Sequence, residues 1–278
     1  MLLNNMFDLR DKVILITGGG GHLGESMCEA LAEYGANLII GSRDIEKNDK
    51  LSQKLNEEFG NDNCSLKLDI SDYESIKNAV ESIIQNRGRI DVLINNAFYG
   101  AGKDLLSMTN EEWNTGIDGS VSSVYRCTKA VLPHMIENKA GKIINISSMY
   151  GLVSPDVSIY ENNNFYNPPN YGAGKAAIIQ FTKYVAAVYG KFGISSNSIS
   201  PGPFPNPYVQ KDKEFIKKLE EKVPLKRIGR PDDLKGTILL LASDASNYIN
   251  GANVVIDGGW TIWKINKQTR LKKNLFYK

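Results

Sequence analysis

The chain has 278 residues, 42% hydrophobic and 23% charged, with a formal net charge of +2. That is an ordinary globular composition, and a charge so near neutral does not suggest a nucleic-acid partner. No apolar run approaches the roughly 20 residues that cross a membrane, and the opening MLLNNMFDLRDK lacks the basic-then-apolar build of a secretory signal, so a cytoplasmic protein is expected.

Taken in chain order, KVILITG (12–18) is the first predicted strand, and TGGGGHLG (17–24) follows it directly into a helical pattern over 23–34. Glycines there let the backbone turn tightly and approach a pyrophosphate, while the helix start offers N–H groups and partial positive charge. Gly18, Gly20, Gly21, Leu23 and Gly24 are therefore candidate dinucleotide contacts. His22 interrupts the run; it is read either as a phosphate donor or as a surface histidine at a helix start.

NLIIGSR (37–43) is the second strand, ending in Ser42 and Arg43 where a dinucleotide's adenosine ribose is read. A carboxylate there favours NAD. A guanidinium instead pairs with the 2′-phosphate of NADP. The pair Ser42–Arg43 favours NADP, with NAD as the alternative; Asp44 either opposes this or caps the next helix. CSLKLDI (64–70) is the third strand, and a helix over 72–86 follows with Ser71 as expected N-cap and Glu74 three residues on. DVLINNA (91–97), GKIINISS (141–148), ISSNSISPG (194–202) and NVVIDGG (253–259) complete seven strands, with a further helix over 231–243. Nearly all the strands are apolar without alternation, as in a parallel sheet covered on both faces. Strand–helix alternation along the chain predicts an α/β fold, one doubly wound Rossmann-type sheet in a single domain over 1–263, with a basic tail at 264–278. Cys28, Cys64 and Cys127 show no metal-ligand spacing and read as reduced core residues, so no metal is expected.

Three tyrosines lie near the stretch NFYNPPNYGAGK (164–175), and one of them, Tyr171, has a lysine four residues on, Lys175. Positions i and i+4 share a helix face. A nearby ammonium lowers a phenol's pKa from about 10 and makes it able to exchange protons, so a depressed Tyr171 pKa is expected. Asn and Pro over 151–170 predict a loop that stops where Pro168 and Pro169 start the helix.

In this order the motifs resemble the short-chain dehydrogenase/reductase family over about residues 8 to 260. Thr17, Gly18 and Gly24 match its glycine-rich pattern, with His22 in place of the middle glycine. Asn95, Asn96 and Ala97 match its NNAG turn, with Phe98 replacing the last glycine. The resemblance implies that Asp69 and Ile70 hold the adenine, and that Pro201 and Gly202 lie beside the nicotinamide. It further implies that Tyr171 is the general acid or base, that Lys175 tunes it and holds the ribose, and that Ser148 steadies the substrate oxygen. Ser120 falls where the family has an asparagine that anchors a relay water; its hydroxyl either holds that water or marks weakened catalysis.

Ser148 and Tyr171 are 23 positions apart, longer than the family's usual span, so the loop 151–170 is expected over the substrate. With its amides and rings it suits a hydroxyl-rich small molecule, or is a plain surface insertion. The chain is also similar to a subgroup of flagellin-modification and polysaccharide-biosynthesis oxidoreductases. The implied activity is hydride transfer between NAD(P) and an alcohol or carbonyl of a sugar-like metabolite. A 3-oxoacyl or general ketone reductase and an inactive cofactor-binding scaffold are the alternatives. Small and apolar residues around 176–190, with the family resemblance, imply a homodimer or homotetramer.

Overall fold

The computed structural model describes residues 2–100, 102–161 and 165–263; the basic tail lies outside them. Seven strands form one sheet: β1 (Val13–Thr17), β2 (Asn37–Ser42), β3 (Cys64–Lys67), β4 (Val92–Asn95), β5 (Gly141–Ile146), β6 (Ile194–Pro201) and β7 (Asn253–Ile256). Their order is β3-β2-β1-β4-β5-β6-β7 and every neighbouring pair is parallel. The main helices are α1 (Gly24–Glu33), α2 (Ile45–Phe59), α3 (Tyr73–Arg87), α4 (Asn110–Ile117), α5 (Ser123–Glu137), α6 (Pro169–Tyr189), α7 (Lys213–Lys222) and α8 (Lys235–Ala242).

The absence of alternation in the strands has the expected cause. Along β1, Ile14 and Ile16 join a core with Met27 and Leu31 of α1, Leu55 of α2 and Ile238 of α8. Val13 and Leu15 face the other way, into a core with Ile76 and Val80 of α3, Val131 of α5 and Val185 of α6. Successive strand side chains point to opposite faces, and here both faces are covered, so the first four positions of β1 are all apolar.

Two local readings change. Asp72, not Ser71, caps α3, its carboxylate accepting from Glu74 N at 2.9 Å; Ser71 instead donates to Asp69 from both its backbone and its hydroxyl. The expected helix over 231–243 opens as a 3₁₀ turn, Pro231–Leu234, before α8, a tightening common at helix starts. Cys28 and Cys127 are buried, whereas Cys64 on β3 is only half-buried.

Candidate active site at the carboxyl ends of the strands

The chain order reverses between β1 and β4, and in open α/β sheets the crevice beyond the carboxyl ends at such a point is where ligands sit. The sequence-predicted residues gather along this edge. Thr17 ends β1, and its hydroxyl accepts from the backbone N–H groups of Asn96 and Ala97, each at 3.1 Å. The Asn96 amide donates to the carbonyls of Thr17 (3.1 Å) and Gly18 (2.9 Å). The two side chains thus lock the glycine turn to the end of β4.

Gly18 has φ +67°, a conformation that only glycine adopts without strain. A Cβ on Gly24 would press into the carbonyl oxygens of Gly18 and Gly19, the latter at 2.6 Å, so the turn lies directly on the first turn of α1. Leu23, at its N-cap, offers no side-chain cap, and although Glu25 N bonds the Gly21 carbonyl at 3.0 Å, the helix start still presents its partial positive charge to an anion. His22 is compatible with this turn: among the described residues the non-glycine positions with positive φ are Asp11, Lys139 and Lys226, so a side chain at 22 carries no backbone penalty. Its ring contacts the Pro205 carbonyl, and burial lowers its pKa.

At the end of β2, Ser42 is fully engaged, donating to the Asp44 carbonyl (3.0 Å) and accepting from the Asn48 amide (2.8 Å). The Asp44 carboxylate caps α2 by accepting from Lys47 N at 3.1 Å, which settles its role. Arg43 is exposed and has no ion pair among the described residues. Sequence reasoning missed Asn48. It is buried, bonds the Ile40 carbonyl and Ser42, and holds its Oδ1 2.5 Å from where a Gly20 Cβ would stand. It ties the glycine turn to the ribose end of the site. Asp69 and Ile70 follow β3, and Arg126 of α5 grips the Ile70 carbonyl at 2.9 and 3.0 Å while pairing with Asp118. The helix start, the glycines and the unpaired guanidinium suit a dinucleotide carrying a phosphate at its ribose.

On the other side of the crevice, Ser148 follows β5, and its hydroxyl accepts from Tyr150 N at 3.1 Å. Tyr171 stands in the first turn of α6, which starts at Pro169 as expected, and its phenol hydrogen-bonds the Ser148 side chain. Lys175 is buried and its ammonium donates to the Ile146 carbonyl at 2.8 Å. The ammonium lies 5.6 Å from the Tyr171 ring centre and 5.5 Å from that of Phe98. Ser147 braces the lysine's backbone, donating to its carbonyl at 2.7 Å.

The electrostatics correct one expectation. The Tyr171 pKa is raised, not lowered: burial dominates, with the Ser148 hydrogen bond opposing it. Phe98 packs edge-on against the Tyr171 ring, centroids 5.1 Å apart. Lys175 is itself desolvated, its pKa brought down to about 8. Spacing along a helix gives proximity, but not the depth at which both groups lie. A phenol in this state is a proton donor at neutral pH.

Ser120 is brought close, in a one-turn π-helical segment, Asp118–Ser122, between α4 and α5. Its hydroxyl presses against Gly174, the residue before Lys175, but turns back to donate to the carbonyls of Gly116 (2.7 Å) and Ile117 (3.1 Å). Pro201 and Gly202 close β6, with Gly202 so tight on Asp257 that a Cβ would lie 2.5 Å from its Cα.

A cavity of about 410 Å³ opens beside Ser148 and Tyr171. Its walls come from Phe98, from the loop 151–170 and from α7, with Phe165 stacked on Phe215 at 4.6 Å. The loop is no plain surface insertion: Ile159 is buried with Phe215, Leu219 and Trp260, and Asp156 pairs with Lys222 at 2.5 Å. Asn170 leaves the cavity side for the Glu112 carbonyl at 3.0 Å. Asn162–Asn164 lie outside the described residues.

A family profile described as enoyl-(acyl carrier protein) reductase matches residues 21–261. The chain belongs to the short-chain dehydrogenase/reductase family. It is 34% identical over 255 residues to a 3-oxoacyl-(acyl-carrier-protein) reductase of Thermotoga maritima, covering 91% of this chain and 99% of that one. Among solved structures it is similar to a gluconate 5-dehydrogenase from Burkholderia cenocepacia in complex with NADP and tartrate. That likeness has a TM-score of 0.86 at 29% identity, covering 95% of this chain and 100% of that one. It is similar also to an NADPH-dependent 3-quinuclidinone reductase from Rhodotorula rubra, with a TM-score of 0.85 at 30% identity, covering 94% and 96%. As a member of this family the chain is an NAD(P)-dependent oxidoreductase.

Proposed function

We infer that the chain interconverts an alcohol and a carbonyl on a small uncharged, ring-shaped or sugar-like molecule, with NADP as the preferred hydride carrier. The observation that carries this is the hydrogen-bonded pair Ser148–Tyr171 with the Lys175 ammonium beside it, at the mouth of a cavity with no charged side chain among its described walls.

In the direction of reduction, Ser148 donates to the substrate oxygen and Tyr171 delivers a proton to it as negative charge develops. The raised pKa of Tyr171 favours this direction, because the phenol is protonated throughout the neutral range. Oxidation needs the phenolate and is expected to accelerate as pH rises towards 10 and beyond. Lys175 holds the ribose hydroxyls. When bound, the nicotinamide supplies or accepts the hydride. The glycine turn, held in place by Thr17 and Asn96, and the start of α1 would hold the phosphates, Arg43 would read the 2′-phosphate, Asp69 and Ile70 would flank the adenine, and Pro201 and Gly202 would lie beside the nicotinamide.

The uncharged, ring-rich walls support a neutral substrate over a sugar acid or sugar phosphate, since no cation there would pair with its charge. A general ketone reductase is the second reading, favoured by the same aromatic lining. A place in surface-glycan or flagellin-sugar assembly rests on the subgroup resemblance alone. Exposed Tyr125 and Tyr184 flank an apolar hollow between α5 and α6, which supports a homodimer or homotetramer joined through these helices; light scattering at micromolar concentration tests it.

The deciding experiment is Tyr171→Phe. It should lower kcat by at least about a thousandfold, within the range of proton-transfer catalysis plus a lost oxyanion donor, while the fluorescence-measured Kd for NADPH stays within about threefold. Near-normal kcat would refute the assignment. Absence of turnover by the unaltered chain over sugars and ketones would favour the scaffold reading.

A further inference from the structure

The inserted loop places Tyr160 in the cavity beside Tyr150, which sits two residues past Ser148. The two phenol oxygens are hydrogen-bonded to each other at 2.8 Å. Each phenol has one proton, and the mutual bond uses only one of the two. The other has no partner among the described residues. Burial raises the pKa of both phenols, so the spare proton is held at all working pH values. The same cavity contains a complementary orphan: Asn167 lines it, and its buried Oδ1 has no hydrogen-bond partner. The two tyrosines are half-buried and Asn167 Oδ1 is enclosed behind the cavity wall, and a donor and an acceptor left without partners in this way are each costly unless something satisfies them.

We propose that Tyr150, Tyr160 and Asn167 form a subsite that recognises a second oxygen of the substrate, a hydroxyl beside or across a ring from the reacting carbonyl. A hydroxyl in the cavity can accept from the tyrosine pair, and a turn of the Asn167 side chain would bring its Oδ1 to accept from the same hydroxyl. The flanking rings fit the apolar faces of such a molecule: Phe165 lies against Phe215, and Phe215 is 5.7 Å from the Tyr160 ring. The substrate class is then a cyclic hydroxyketone, or the corresponding diol in the reverse direction. This inference rests on Ser148 and Tyr171 handling the reacting oxygen as described above.

The test compares cyclohexanone with 2-, 3- and 4-hydroxycyclohexanone as substrates for the full chain with NADPH. The unaltered chain should favour at least one hydroxyketone over cyclohexanone by about tenfold in kcat/KM, the size of a well-made neutral hydrogen bond. Tyr160→Phe keeps the ring and its stacking but removes the hydroxyl, and Asn167→Leu removes the acceptor. Each should bring that ratio close to one while kcat/KM for cyclohexanone stays within about twofold. Equal losses on all the ketones, or an undiminished ratio in both variants, would overturn the subsite. Turnover of no ketone by the unaltered chain would instead overturn the reading of Ser148 and Tyr171, and the subsite with it.

Discussion

Replacing Arg43 with Ala isolates the group that distinguishes the two nicotinamide cofactors. Arg43 is exposed at the end of β2 and free of ion pairs among the described residues, so its removal breaks no ion pair and only weakens its attraction for Asp69. The neighbouring Ser42 has its hydroxyl committed to Asp44 and Asn48, and Asp44 is committed to capping α2. Neither can replace the guanidinium. A hydrogen bond to a charged group contributes about 1.5–3 kcal/mol, but an exposed pair loses much of that to solvent and salt. About 1.4 kcal/mol, or tenfold, is the expected loss in kcat/KM for NADPH at ~0.1 M salt. The value for NADH should stay within about twofold, because NADH has no 2′-phosphate. Lowering the ionic strength to ~0.01 M lengthens the screening distance from about 10 to 30 Å, and should widen the preference of the unaltered chain but not that of the variant. Steady-state absorbance of the reduced nicotinamide reads all four rates. Ser42→Asp should act in the same direction and also raise the rate with NADH, since an aspartate can still accept the Asn48 bond while offering a carboxylate to the ribose. An NADPH-to-NADH ratio unchanged in Arg43→Ala would refute the assignment of this edge to a 2′-phosphate.

Other perturbations separate stability from chemistry. Lys175→Met should abolish activity yet raise stability on the order of 2 kcal/mol at pH 7, because a buried ammonium with a pKa near 8, against an ordinary value of 10.5, penalises the folded state. The unfolded chain binds this proton and the folded chain does not between pH 8 and 10.5, so the native stability rises with pH there; the variant's advantage in thermal unfolding should shrink over that window. A constant advantage would contradict the buried charge. Gly24→Ala should cost about 1–3 kcal/mol of stability and raise the KM for NADPH, since its Cβ would lie 2.6 Å from the Gly19 carbonyl oxygen; an unaltered KM would show that this turn does not hold the phosphates. Ser120→Ala should lower kcat less than threefold, because the Ser120 hydroxyl already donates to the carbonyls of Gly116 and Ile117. A loss of a hundredfold would restore it as an essential relay anchor.

The sheet and the crevice were legible because their signals are local. Strands such as β1 and β4, buried on both faces, are almost continuously apolar, and the glycine turn, the Asn96 turn, Ser148 and the Tyr171–Lys175 spacing each occupy a few consecutive residues. What escaped depends on contacts between distant segments. Asn48 looks like any polar residue of an amphipathic helix, and its bonds to Ile40 and Ser42 exist only because α2 folds back along β2. Arg126 reaches Ile70 across 56 positions. The direction of the Tyr171 pKa was missed for the same reason: the i, i+4 rule places a charge nearby, whereas desolvation depends on Phe98, which arrives from the end of β4.

The departures from the family pattern lie on two sides of the crevice and act differently. Ser120 is absorbed by bonding its own helix, and His22 sits at negative φ without backbone strain but leaves its buried Nε2 without a partner among the described residues. Phe98 and the loop 151–170 instead reshape the wall facing the substrate. That loop is held in place from beyond the site: Lys218 donates to the Glu161 carbonyl at 2.9 Å, Lys222 pairs with Asp156, and Ile159 is buried at 1% exposure. Burying a side chain of that size contributes about 1.5–3 kcal/mol, comparable with the cost of ordering one or two loop residues, and Phe165 and Tyr160 add to it on the same face of α7. Tyr160 is thereby fixed before any substrate arrives. Selectivity arising from it should therefore appear in KM and kcat/KM, without the slow conformational step that a loop closing on its ligand would introduce.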